Sequence, residues 1–172
     1  LPPRAIILAG PNGAGKTSFA NAFLRETEEA YAFVNADEIA RTLGNRLSHA
    51  ERDMRAGRLM LMRLDELAAA GRNFVLETTL ASRLYARKLL EWRARGYWIG
   101  LMYLRLPTVE TSLDRVRRRV ALGGHDIPEA DIRRRFGRSA RNLETVYKPL
   151  VDEWQVWEGR DGAFTRLYRS EP

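Results

Sequence analysis

The chain has 172 residues, the size of one domain and enough to bury a core without covalent staples. It contains no cysteine, which excludes a disulfide framework, a thiolate metal site and a cysteine nucleophile. Lysine and arginine outnumber aspartate and glutamate 29 to 22, and the resulting net charge of +7 suits either nucleic acid or a phosphorylated small substrate.

The elements follow in chain order. An apolar run over 5–9 predicts a first strand. Residues 10–17 read G-P-N-G-A-G-K-T and fit G-x-x-x-x-G-K-[ST] in full. A chance match in a chain this long is on the order of one per cent. A helix-like stretch follows over 18–24. Residues 31–34 predict a second strand, ending in Asn35-Ala36-Asp37. A long helix is expected over 48–70, with Met54, Leu61, Leu64 and Ala68 at helical spacing and Gly71 closing it. Residues 74–76 predict a third strand, running into Glu77-Thr78-Thr79. A helix over 82–95 places Leu84, Leu89 and Trp92 on or near one face. Residues 97–104 predict a central strand, broken by Pro107. Helices over 109–122 and 129–147 flank a loop at 123–128, the second with an apolar stripe of Ile132, Phe136, Ala140 and Leu143. The C-terminus predicts a β-hairpin, 154–157 and 163–168 around a turn at 159–162. The alternation predicts an α/β fold with a mostly parallel sheet. No apolar stretch approaches the ~18 residues that span a membrane. Leu1-Pro2-Pro3-Arg4 runs directly into the first strand, leaving no room for a signal peptide, so a cytoplasmic protein without a membrane partner is expected.

A strand, a glycine-rich turn and a helix N-terminus make an anion trap. Gly10, Pro11, Asn12, Gly13, Ala14, Gly15, Lys16, Thr17 and Ser18 are therefore expected to hold a nucleotide, ATP or GTP. Lys16 would reach its terminal phosphates, and the Thr17 hydroxyl would hold Mg²⁺. Ligands of parallel α/β sheets bind at the carboxyl ends of strands, which here carry Asn35, Asp37, Glu77, Thr78 and Thr79. Asp37 has two readings, a base for an acceptor hydroxyl or the N-cap of a helix starting at Glu38. Glu77 has three: a water-mediated Mg²⁺ ligand, a contact to acceptor hydroxyls, or a solvated carboxylate. Two arginine-bearing helices joined by Gly123-Gly124 suggest a lid over phosphates, in which only two or three arginines matter. His125 reads as a loop residue rather than a catalyst.

A-G-P-N-G-A-G-K-T, N-A-D-E-I-A from Asn35, E-T-T-L from Glu77, R-V-A-L-G-G-H-D-I-P from Arg119 and R-R-R-F-G-R-S from Arg133 together resemble the zeta-toxin family of P-loop kinases. The resemblance spans about 5–143 and implies a single domain over 1–172: a three-layer sandwich with helices on both sheet faces and a helical lid near 115–140. It implies transfer of the ATP γ-phosphate to a small acceptor. Toxin members phosphorylate a sugar hydroxyl of UDP-N-acetylglucosamine and so poison peptidoglycan synthesis. The same resemblance implies Lys16 and Thr17 on phosphates and Mg²⁺, Asp37 as catalytic base, and Glu77 and Thr79 on the acceptor. It also implies Arg119, Arg135 and Arg138 on the γ-phosphate, and an antitoxin as partner. Ala81 stands where toxin members tend to carry a basic residue, and the G-G-H-D-I-P lid resembles the compact chromosomal branch. The alternatives are a nucleic-acid-end kinase, disfavoured by the lack of an aromatic stacking platform, and a nucleotide-gated module or ATPase.

Overall fold

In the computed structural model, which describes residues 1–24, 30–44, 46–160 and 162–171, the first strand is β1 (Arg4–Ala9). It is followed by α1 (Lys16–Leu24), β2 (Ala32–Asn35), α2 (Ala36–Thr42), α3 (His49–Ala69), β3 (Phe74–Thr78), α4 (Leu84–Ala94) and β4 (Trp98–Arg105). Then come α5 (Val109–Ala121), α6 (Glu129–Asn142), β5 (Glu153–Arg160) and β6 (Ala163–Arg169). The strands form one sheet in the order β2-β3-β1-β4-β5-β6, parallel except for β6. The predicted α/β class holds, and β4 lies inside the sheet as expected. The expected hairpin is β5–β6, and it extends the main sheet rather than standing apart from it. Asp161 of its predicted turn lies outside the described residues.

Alternation along the strands sends side chains to opposite faces. Ile7, Leu76, Ile99 and Leu101 face α3 and α4 and build the larger core with Met60, Leu64, Leu89 and Trp92. Leu8 and Val75 face the other way, onto Phe19 and Ala20 of α1. A smaller apolar cluster, Leu113, Val116, Ile127 and Ile132, joins α5 to α6.

Three helix faces differ from the sequence pattern. On α3 the buried residues are Ala56, Met60, Leu64, Leu67 and Ala68, whereas Met54 is 61% exposed. The capping box of Ser48 and Glu51 starts that helix and fixes its phase. On α4 only Leu89 and Trp92 are buried, and Leu84, in the first turn, lies in solvent. The predicted helix over 129–147 is α-helical only to Asn142, then passes through a π turn, Leu143–Tyr147. Its stripe contains Ser139 rather than Ala140, because the Ser139 hydroxyl is hydrogen-bonded to Tyr103 Oη at 2.9 Å. The wider π turn lets both Leu143 and Tyr147 enter the core.

Leu64→Ala should cost about 2–5 kcal/mol of stability through the cavity it leaves. Met54→Ala should change stability by no more than about 0.5 kcal/mol. Urea unfolding of both variants checks the phase of α3, and similar losses would contradict it.

Candidate active site

The sheet register brings three strand ends level. Asn35 stands beside Glu77, and Ala9 beside Thr78. The phosphate loop leaves β1, which lies between β3 and β4. Its glycines are required by shape: Gly13 and Gly15 have φ of +80° and +88°, a region that disfavours side chains. A Cβ on Gly10 would overlap the Leu104 carbonyl oxygen. α1 then starts at Lys16, so the loop delivers its N–H groups at a helix N-terminus.

Lys16 is buried, and its ammonium donates to the carbonyls of Gly10 at 2.9 Å and Pro11 at 3.1 Å. Burial lowers its pKa, the Glu77 and Asp37 carboxylates oppose that shift, and Arg119 adds to it. Burial raises the pKa of Glu77. Lys16 and the hydrogen bonds from Asn35 and Thr17 pull it back, while Asp37 pushes it further up. Asn35 Nδ2 donates to Glu77 Oε2 at 2.9 Å, and Thr17 Oγ1 reaches the same oxygen at 3.5 Å.

The two readings of Asp37 are separated by one hydrogen bond. Asn35 Oδ1 accepts from the Asp37 backbone N–H at 2.7 Å, so Asn35 caps α2. The helix begins at Ala36, not Glu38, and the Asp37 carboxylate is not the cap; it lines the cleft with Lys16 and Glu77. That cleft, about 250 Å³, is completed by Asn12, Gly13, Asn35, Thr78, Thr79, Arg119 and Arg135, among others. Thr78 has a structural task, since its hydroxyl accepts from Leu80 N at 3.1 Å and bonds with the Tyr85 phenol. Leu80 itself is left-handed, with φ of +61°, and Asn142 Nδ2 of α6 donates to its carbonyl at 2.9 Å.

The arginines divide. Arg117, Arg133 and Arg134 are engaged with Asp114, Glu129, Glu110 and Asp131. Among the described residues, Arg119, Arg135 and Arg138 form no ion pair. Arg119 and Arg135 line the cleft, and Arg138 is exposed outside it. Pro11, Ala14, Gly15, Thr17 and Ser18 also lie outside the cleft lining, within the loop and the first turn of α1.

Several residues escaped the sequence reading. Arg115 donates to Gly13 O at 3.2 Å and Gly159 O at 3.1 Å, bracing the loop against β5. The Ser112 hydroxyl donates to the Asn12 carbonyl. Asn12 itself was expected in the phosphate loop; among the described residues its buried Oδ1 has no hydrogen-bond partner. His49, Asp53, Tyr85 and Asp131 also line the cleft. The spacing of Arg115 and Arg119 was a signal for their shared helix face; nothing in the sequence marked the others.

A phosphate loop at the carboxyl edge of a parallel sheet, with a buried lysine facing strand-end carboxylates, defines a P-loop kinase. The chain belongs to the Zeta toxin family, whose family model matches residues 1–171. A chain of the PezAT chromosomal toxin-antitoxin system of Streptococcus pneumoniae is similar in fold, with a TM-score of 0.68, 21% identity, and 97% of this chain and 71% of that chain covered. A chain of the AvrRxo1-ORF1:-ORF2 complex with ATP gives a TM-score of 0.76 at 19% identity, over 97% of this chain and 58% of that one. A chain of the Pnkp1/Rnl/Hen1 RNA repair complex gives 0.67 at 23%, over 83% of this chain and 45% of that one. The chain thus spans only about half the length of two of these three neighbours.

Lys16→Met should separate stability from function. The Lys16 pKa in the fold lies below its ordinary 10.5, so the ammonium lowers stability below that folded value, and the cost fades as pH rises toward 10.5. At neutral pH the variant should melt no lower than the parent while losing nucleotide binding. Thermal unfolding with a fluorescent-nucleotide titration reads both, and a lower melting temperature contradicts the assigned cost.

Proposed function

We propose that this protein transfers the γ-phosphate of ATP, with Mg²⁺, to a hydroxyl of a small acceptor, with nucleotide sugars such as UDP-N-acetylglucosamine as first candidates. The observation that carries the reading is the Asn35 cap, which leaves the Asp37 carboxylate in the cleft with Lys16. The residues present suit both groups. Positive-φ glycines aim backbone donors into one concavity, and the buried Lys16 ammonium stands ready to exchange loop carbonyls for phosphate oxygens. Thr17 and Glu77, in contact at one oxygen pair, offer hard oxygens of the kind Mg²⁺ takes. When bound, Mg²⁺ would neutralise charge on the transferred phosphoryl group.

On this reading Asp37 accepts the proton of the acceptor hydroxyl. The acceptor oxygen forms the new bond to the γ-phosphorus, the bond to the β–γ bridging oxygen breaks, and ADP departs. Lys16, Arg119 and Arg135 stabilise charge on the phosphoryl oxygens. Arg138 joins them only if α5 and α6, with the loop between, close as a lid over the cleft. Asn35 and Thr78 hold the acceptor wall, while Glu77 and Thr79 orient acceptor hydroxyls. Arg117, Arg133 and Arg134 are engaged by acidic neighbours, which leaves fewer lid arginines for a nucleic-acid backbone and favours a small acceptor. No described helix is long and apolar enough to cross a membrane. A cysteine-free chain suits work in the cytoplasm, and family membership makes an antitoxin a partner to seek.

Asp37→Asn should reduce transfer by about 10²–10⁴-fold while leaving ATP affinity within error. The assay is mass spectrometry of products after incubation with Mg²⁺, ATP and, separately, UDP-N-acetylglucosamine, a sugar panel and a 5′-hydroxyl oligonucleotide. Unchanged transfer in the variant removes Asp37 as base. A phosphorylated oligonucleotide alone replaces the acceptor class, and free phosphate alone makes the protein an ATPase.

A further inference from the structure

The chain has two histidines, 76 positions apart in sequence, and the fold places them side by side. His49 opens α3, and His125 sits in the loop between α5 and α6. Their rings lie 4.6 Å apart, tilted by 26°. Asp53, one turn after His49 on the same face of α3, has Oδ2 3.4 Å from His49 Nδ1. One ligand atom from each of the three residues lies within 4.8 Å of the others. All three line the cleft.

We propose that His49, Asp53 and His125 form a site for a divalent transition-metal ion, separate from the Mg²⁺ of the phosphate loop. Two imidazoles and one carboxylate suit Zn²⁺ and its neighbours, whereas Mg²⁺ prefers oxygen alone. Tetrahedral zinc at ordinary bond lengths holds its ligand atoms roughly 3.4 Å apart. The His49–Asp53 pair already has that separation, at 3.4 Å. His125 closes the remaining gap, on the order of 1 Å, by side-chain rotation. Three protein ligands leave a fourth position open toward the cleft.

Two of the ligands belong to α3 and the third to the α5–α6 loop, so a bound ion fastens that loop to α3 at the cleft. The fastening extends to Arg119, whose Nη2 donates to the His125 carbonyl at 3.2 Å. The site thus links metal occupancy to the position of a cleft arginine. The inference rests on the placement of three side chains and not on the transfer reaction.

Nitrogen-15 imidazole NMR of the full chain, titrated with ZnCl₂ without nucleotide or Mg²⁺, tests it directly. Two histidines and no cysteine make the spectrum unambiguous. The expected result is that both imidazoles shift in step and saturate at one Zn²⁺ per chain. The remaining imidazole should lose its response in His49→Ala and in His125→Ala, and Asp53→Asn should weaken binding. Circular dichroism establishes that each variant is folded. If either imidazole of the parent fails to respond, or if a folded single-histidine variant binds Zn²⁺ as the parent does, the site does not exist. Because no ATP is present, either outcome leaves the kinase reading untouched.

Discussion

The burial of the Lys16 ammonium is the constraint around which the cleft is organised. An ammonium taken out of water needs its donors satisfied and its charge balanced. The loop supplies the first through the Gly10 and Pro11 carbonyls. The ends of β2 and β3 supply part of the second through Asp37 and Glu77, and do so because the parallel register sets Asn35 beside Glu77. The balance is incomplete, since burial still wins and the Lys16 pKa is lowered. A group in that state gains from any further negative charge brought to it. An anion brought to the loop would therefore favour the charged form of Lys16.

The same incompleteness shapes Glu77. Its carboxyl is raised by burial even with Lys16, Asn35 and Thr17 in favour of the charged form. Asn35 serves two masters, capping α2 with its oxygen and holding Glu77 with its nitrogen. One amide thereby fixes the relative position of both carboxylates. An aspartate at that position could cap the helix equally well but would face Glu77 with like charge.

How much of this was legible depends on whether the controlling force is local. The phosphate loop was readable because its glycines answer backbone geometry that no side chain satisfies, as Gly10, Gly13 and Gly15 show. The strand ends were readable because parallel topology sends them to one edge. The role of Asp37 was not, because Asp is itself a good capping residue and the earlier helix start, at Ala36 with Asn35 as cap, is not marked in the sequence. The phase of α3 was misread through Met54 because a large apolar residue outweighs Ala56 in any pattern, although Ala56 is the one buried. Ser139 and Asn142 were invisible for another reason: their burial depends on Tyr103 and Leu80, 36 and 62 positions away.

Those distant bonds determine which part of the α5–α6 pair is free to move. At its entrance, Ser112 and Arg115 bind α5 to the phosphate loop, and Arg115 also reaches Gly159 of β5. At its exit, Ser139 and Asn142 bind α6 to β4 and to the left-handed Leu80. A left-handed leucine is strained by roughly 1–2 kcal/mol, and it persists where surrounding bonds hold it. Both bases of the pair are thus tied to the phosphate loop, β4, β5 and Leu80, whereas the tip, residues 123–128, packs on the pair itself through Ile127. That tip carries His125, and its neighbours across the cleft are His49 and Asp53. Displacement of the tip would be felt at the phosphate loop through Arg119, whose Nη2 donates to the His125 carbonyl and whose charge acts on Lys16. One arginine thus connects the tip to the phosphate-loop lysine, while Ser112, Arg115, Ser139 and Asn142 hold the bases of the two helices in place.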